Sequence, residues 1–330
     1  MKRLSGRGRC LHYAAGTRCS NFIDAHSIQK SGQLFKIAEC GHVIQLSADI
    51  SILKQSGGRL AGKTIGVKDV STFAGFCEIH DNELFEPIDN TSLIPTELQI
   101  LLYAYRCLCK EYFVKENAAE LMKKYSVYAE NTKEQERIFK EMSRGTTLGF
   151  DNLKHHKSYF DNCLSEKSYQ DIFYVCFLSN DPWNIQVSGV LYPWYDFLGN
   201  ELQDTSDFEY VPELLTVFTA PTSQGWAYVL AWHVSSDKVC SQLVGSLAAW
   251  ISNGYSLPDA LLRFTFSSFE NHAIRPSWWN KLNGDDREAI IDRATLMVAP
   301  NIPVPPDYLV YGLEGIANWK YKDVLYKQNK

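Results

Sequence analysis

Cys10, Cys19, Cys77 and His80 are donors of the kind that hold zinc, and the chain offers them from two segments far apart in sequence. Zinc takes four N or S ligands in a tetrahedron. Cys77 and His80 stand at i and i+3, so at the first turn of a helix both side chains reach one ion. Cys10 and Cys19 complete the set, with about 57 residues between Cys19 and Cys77. An ion held this way closes a long loop and staples a module too small and too polar to fold on its core alone. Asp81 comes next and points elsewhere, which lets its carboxylate serve a second, catalytic metal. Between the two halves of the set, the segment Asn21 to Ile28 reads as a strand carrying His26. Cys40 and His42 are further donors nearby, expected to be structural, and His12 is expected in a loop facing solvent or DNA.

A cysteine pair, a strand bearing a histidine and a Cys-x-x-His-Asp opening a helix resemble the HNH, or ββα-metal, endonuclease superfamily in its zinc-containing branch. The resemblance covers roughly residues 5 to 90. It implies a small zinc-stapled ββα-metal, treble-clef-like module. In it His26 is the general base, and a structural Zn²⁺ sits on Cys10, Cys19, Cys77 and His80. His80 takes the place of a second helix cysteine and Asp81 that of a terminal histidine. The family's middle asparagine falls at Thr72, beside Ser71, so the resemblance implies a catalytic divalent ion, Mg²⁺ or Mn²⁺, on Asp81 and Thr72, with DNA as partner. This chain departs from the pattern in three places: eight residues separate Cys10 from Cys19, Ala25 stands where many members carry an aspartate ligand, and a hydroxyl residue replaces the asparagine. Asp24, Asn82, Cys40 and His42 are the alternative donors.

Charge is divided along the chain. Residues 1 to 70 hold eleven Lys or Arg against four Asp or Glu, a balance of +7, whereas the other 260 hold 22 against 34, a balance of −12. A basic segment attracts a phosphate backbone and releases counterions on binding. Lys2, Arg3, Arg7, Arg9 and Arg18 form the expected electrostatic footprint, and Lys30 and Ser31, directly after the histidine strand, are placed to touch a phosphate. No run of eighteen apolar residues appears, and MKRLSGRGRC lacks the apolar stretch of a secretory signal, so the expected location is the cytoplasm. Nine cysteines, an odd number over 330 residues, argue against a disulfide framework. Cys107, Cys109, Cys163, Cys176 and Cys240 are expected in cores. Phosphate-loop, dinucleotide and serine-elbow motifs are missing, and GRLAGKTIG is expected to be a loop.

The elements that must carry these residues give an α+β chain in three parts. Residues 1–90 form the HNH-like module. Residues 91–168 form a helical region, opened by a helix from about Pro95 with Leu98, Leu101, Leu102, Tyr105 and Leu108 on one face. Lys115 to Lys157 is expected to be three or so helices, broken near Gly145 and Gly149. Residues 169–330 form an aromatic-rich antiparallel α+β domain. Strands are expected at Asp171 to Leu178, Ile185 to Pro193 and Trp226 to Val234, with a turn at Gly199-Asn200. Helices are expected at Lys238 to Ile251, Leu257 to Phe266 and Pro276 to Met297, followed by an extended connector at Pro300 to Pro306. All eight tryptophans lie at or after position 183, which suits either a core or a surface for a protein partner or self-association. Glu270, Asn271, His272 and Arg275 are a further candidate polar site. The function expected is a regulated, metal-dependent DNA endonuclease serving a bacterial anti-phage defence system. The alternatives are a non-catalytic zinc module docking DNA or protein, and a structural subunit.

Overall fold

The computed structural model describes residues 8–89, 91–125, 132–181, 184–205, 207, 209–298 and 304–328. The chain is α+β. Strand β1 (Phe22–His26) is followed by a π-helical turn (Lys30–Leu34) and the short α1 (Phe35–Ile37). The hairpin β2 (His42–Ser47) and β3 (Ala61–Gly66) encloses α2 (Ile50–Gln55), and β4 (Thr72–Cys77) runs directly into α3 (Glu78–Asp89). Two long helices follow, α4 (Glu97–Tyr125) and α5 (Lys133–Glu166). The remainder is β5 (Ile172–Ser179), β6 (Ile185–Leu191), β7 (Leu215–Thr222), β8 (Gly225–His233), α6 (Asp237–Ser252), α7 (Leu257–Ser268), β9 (His272–Ile274), α8 (Pro276–Lys281), α9 (Gly284–Val298) and β10 (Tyr321–Lys327).

Strands β1 and β4 form an antiparallel pair of their own, and the other eight make one sheet in the order β10-β5-β8-β7-β6-β9-β2-β3. Period-2 alternation divides that sheet's side chains between two cores. Phe173, Val175 and Phe177 of β5 and Trp226, Tyr228, Leu230 and Trp232 of β8 join residues of α6, α7 and α9. Ile172, Tyr174 and Cys176, with Ala227, Val229 and Ala231, face the other way onto α4 and α5. Helix α4 is buried continuously from Ile100 to Cys109 because the β1/β4/α3 unit lies in the same cluster as the sheet's second face. The Thr96 hydroxyl accepts from Gln99 N at 3.3 Å at the head of α4, and Thr132 with Gln135 forms a reciprocal cap at the head of α5.

Several expectations are corrected. The histidine strand is shorter than Asn21 to Ile28, because Asn21 has φ of 50° and the register with β4 shifts between Ile23 and Ala25. GRLAGKTIG is not a loop: Ala61–Gly66 is β3, paired along its length with β2. Helix α5 runs unbroken through Gly145 and Gly149, where a Cβ would meet nothing within 4 Å, so its helical backbone is satisfied with or without a side chain. The helix expected from Pro276 to Met297 is interrupted at Leu282-Asn283. Strands β7, β9 and β10 go beyond the three expected. The β2–β3 hairpin joins the C-terminal sheet through β9, so the sheet crosses the boundary drawn at residue 90. The Gly199 turn is present, with φ of 84° and Asp196 Oδ1 accepting from Leu198 N and Asn200 N. Part of the Pro300–Pro306 connector lies outside the described residues, as do Lys2, Arg3 and Arg7 of the expected basic footprint.

Candidate active site

The local sequence explains how the four metal donors meet. Arg9 N and Leu11 N donate to the carbonyls of Ala74 and Gly75 at 3.0 and 2.8 Å, which lays Cys10 alongside the end of β4. Cys77 closes that strand, and His80 stands in the first turn of the helix it enters. Cys19 returns through a turn in which Cys19 N donates to Gly16 O. The Sγ atoms of Cys10, Cys19 and Cys77 lie 3.2, 3.3 and 3.3 Å from His80 Nδ1. All four donor atoms fall within 4.8 Å of one another. Tetrahedral zinc bonds separate S from N by roughly 3.6 Å, so displacements of about 0.3 Å would complete the shell. The Cys3His cluster is compatible with a structural metal such as zinc.

Its electrostatics suit that use. Burial, with Arg18 adding to it, holds His80 below the ordinary imidazole range and therefore neutral. Burial opposes ionisation of Cys77, yet the backbone N–H groups of His80 and Ile79 and the neighbouring thiols bring its pKa below the usual thiol value. Cys10 is pushed up to about 11 by burial. Arg18 Nη2 is 2.8 Å from His80 Nε2 and 3.6 Å from a Glu83 carboxylate oxygen; a guanidinium only donates, so with Nδ1 on a metal and the proton on Nε2 the first contact would give way and Arg18 would keep Glu83 as its partner.

His12 is a residue the sequence reading misassigned. It is buried and stacks on His80, with ring centroids 4.0 Å apart and planes 6° from parallel. Its Nδ1 accepts from Ala14 N, and burial drives its pKa down to about 4. An aromatic lid over a buried imidazole is its role, not an exposed contact. Cys40 and His42 lie exposed at the start of β2, His42 Nδ1 donating to Cys40 O at 2.7 Å, and neither is in the cluster.

His26 ends β1 directly opposite Thr72. It is half-buried, and its Nε2 lies 3.0 Å from the carbonyl of Val67. A carbonyl only accepts, so Nε2 carries the proton and Nδ1 keeps its lone pair. Burial lowers the His26 pKa, the Val67 carbonyl opposes that, and the charges of Lys30 and Arg106 add to it against Asp24. Arg106 connects the two candidate catalytic residues, because its charge acts on Asp81 as well. Buried in α4, it makes a bidentate pair with Asp89 at 2.6 and 3.0 Å and lies over the Phe85 ring at 3.9 Å. Asp81, Phe85 and Ile88 share one face of α3. Burial raises the Asp81 pKa despite Arg106, and Asp81 Oδ1 is buried with no hydrogen-bond partner among the described residues. An orphaned carboxylate oxygen of this kind fits a cation ligand.

The remaining candidates separate. Thr72 stands by His26, its hydroxyl donating to Asp69 O at 3.1 Å, and no hydrogen bond joins it to Asp81 among the described residues. It lines a cleft of about 930 Å³ with Asp24 and Phe22 on one wall and Lys110, Phe113 and Val114 of α4 on the other. Lys30 begins the π-helical turn, and the exposed Ser31 donates to Asp89 O at 3.2 Å. Arg9, expected to face DNA, instead turns inward: it ion-pairs with Glu116, donates to Asn117 and lies 4.5 Å from the Phe113 ring centroid. The expected polar site at 270–275 is a structural joint, with His272 Nε2 accepting from Leu46 N and Asn271 Nδ2 donating to Ser188 O. Arg106 and Asp89 were missed by sequence reasoning. An arginine inside the apolar run LLYAYRCLC was the available signal. Compared with family models, curated proteins and solved structures, the chain matches none. Among the described residues no helix is long and apolar enough to cross a membrane.

Proposed function

We propose that this protein is a metal-dependent endonuclease of the HNH type that hydrolyses DNA phosphodiester bonds. The observation that carries the reading is His26, at the end of a strand paired with the strand that enters the Cys3His helix, with Nε2 tied to the Val67 carbonyl and Nδ1 left as a base. In hydrolysis His26 Nδ1 takes the proton of the attacking water. Asp81 supplies the orphaned carboxylate for a divalent ion, the rest of whose shell is water and phosphate oxygen, the usual arrangement for Mg²⁺. Such an ion, when bound, offsets the charge that develops on the phosphate and the leaving 3′ oxygen. Arg106 keeps Asp89 paired and the α3 face rigid beneath Asp81. Lys30, Ser31 and Arg18 are the phosphate contacts, and the bound structural ion is zinc.

The wider role we assign is that of a cytoplasmic effector of anti-phage defence whose sheet restrains cutting. The restraint by the sheet rests on the anchoring of the segment after His26: Ser27 Oγ meets Ser188 Oγ of β6, and Gln33 Nε2 donates to the Thr219 carbonyl of β7. A second reading, a zinc module that docks DNA without cutting it, draws on one observation. Among the described residues neither His26 nor Asp81 belongs to a cluster of three or more His, Cys, Asp or Glu donors.

Plasmid cleavage in Mg²⁺, Mn²⁺ and EDTA tests the proposal, using conditions in which wild-type cutting is seen. His26→Ala is expected to keep zinc and fold while cutting roughly 100-fold or more slowly. Asp81→Ala is expected to stop cutting with little rescue by added Mg²⁺, and the double variant to be no worse than either single one. His26→Ala cutting at the wild-type rate would transfer the assignment to the docking module.

A further inference from the structure

Cys163, Asp171 and His233 take no part in the chemistry proposed above, yet the fold brings them together from three elements. Helix α5 ends with Lys167 in the left-handed conformation (φ 57°), and the Cys163 carbonyl accepts from Lys167 N and Ser168 N. The chain then reverses through a single turn of 3-10 helix, Tyr169–Asp171, which returns Asp171 to the last turn of α5. Ile172, opening β5, is in register with His233, closing β8, so Asp171 and His233 share one end of the sheet. One donor atom from each of the three residues lies within 4.8 Å of the other two.

The surroundings favour an ion over a chance meeting. The His233 ring is stacked on Tyr159, centroids 4.8 Å apart and planes 4° from parallel, which fixes its orientation. Its Nδ1 accepts from Ser235 N at 3.1 Å and lies 2.8 Å from Ser235 Oγ, leaving Nε2 as the nitrogen with no such partner. A metal bound through Nε2 would place the imidazole proton on Nδ1, where the Ser235 hydroxyl accepts it and the Ser235 N–H contact gives way. Cys163 is buried while Asp171 and His233 are half-buried, so the cluster is closed on the helix side and open towards solvent.

We infer that Cys163, Asp171 and His233 form a second metal site, of the three-ligand type whose fourth position is open to water. A thiolate, an imidazole and a carboxylate select zinc or a similar transition-metal ion over Mg²⁺ or Ca²⁺, which prefer all-oxygen shells. The ion would bolt the C-terminal end of α5 to the end of the sheet where β5 begins and β8 closes.

Elemental analysis of zinc-equilibrated, full-length protein is the test. Wild type is expected to hold two zinc ions per chain, and Cys163→Ser and His233→Asn one each. The side-chain amide introduced by His233→Asn retains an acceptor for the Ser235 N–H, so loss of metal there is not loss of the turn. Cys240→Ser, a buried cysteine outside both clusters, is the control and should keep two. If Cys163→Ser fails to fold, Asp171→Asn is expected to fold and bind the second ion about 10- to 100-fold more weakly. In Co²⁺-loaded protein the thiolate charge-transfer band should fall by about a quarter in Cys163→Ser, since three of the four thiolates belong to the Cys3His cluster. One zinc in wild type that Cys163→Ser leaves in place overturns this site and leaves the Cys3His assignment standing.

Discussion

The β1/β4/α3 unit and the eight-stranded sheet both hold strands against helices, and they do so by different means. In the sheet, alternate residues of β5 and β8 feed two separate cores, and Trp232, Tyr228, Phe264 and Phe266 are almost wholly enclosed. The small unit pairs only two strands, with an irregular register, and leaves Phe22 43% exposed. Its inner residues, Ala25, Phe73, Phe76 and Phe85, belong to the cluster around α4, while its other end gathers Cys10, Cys19, Cys77 and His80. Cysteines therefore meet opposite fates. Burial pushes Cys176, in the sheet, up to about 12, while helix N–H groups at the head of α3 favour the thiolate of Cys77. Where apolar surface runs out, donor atoms take over the task of closure.

Four measurements would break or sharpen this contrast. The largest effect is expected from Cys77→Ser, which removes a donor from the proposed zinc site; a structural metal contributes on the order of 10 kcal/mol in small zinc domains. Zinc should be lost and hydrogen exchange should accelerate through β1, β4 and α3, while the amides of the eight-stranded sheet stay protected. Uniform loss of protection would show that the two regions are one cooperative unit. Trp232→Ala should produce the reverse pattern: about 3–5 kcal/mol of global stability lost on urea denaturation, with zinc content unchanged. A variant that also released the metal would contradict the separation.

Acid should attack the sheet at His272, which joins β9 to β2. Burial drives its pKa down to about 4, so between pH 6.5 and 4 the unfolded chain binds a proton that the folded chain does not. Stability should fall as the pH falls through that window, by about 3 kcal/mol from this residue. His272→Gln should lose this contribution in urea midpoints measured at pH 7 and 4.5, leaving those of His12 and His156, which burial also drives down to about 4. Equal sensitivity in both proteins would exclude His272 as its source. The smallest effect expected is on cleavage. Since burial and the charges of Lys30 and Arg106 keep His26 neutral below the ordinary imidazole range, the rate should rise with pH and level off below 6.5. An acid limb centred above 6.5 would mean that some other group is the base.

The i, i+3 spacing of Cys77 and His80, the period-2 runs of β5, β6 and β8 and the amphipathic patterns of α6 and α7 were legible because each is carried by neighbouring residues. Partner choice was not legible. His12 and Arg9 look like exposed basic residues in a loop, and only the approach of α3 and α4 turns one into a ring stacked on His80 and the other into the partner of Glu116. Three-residue β9 has no period to detect; it exists because β6 and β2 flank it. Arg106 reads as an interruption of an apolar helix until Asp89 closes on it. Residue types and short spacings thus determined the donors, the histidine strand and the helices α3, α4, α6 and α7. The tertiary structure decided which charges are paired, which rings are covered and where the sheet recruits β2 and β3, because those outcomes depend on surfaces that meet only after distant segments have packed.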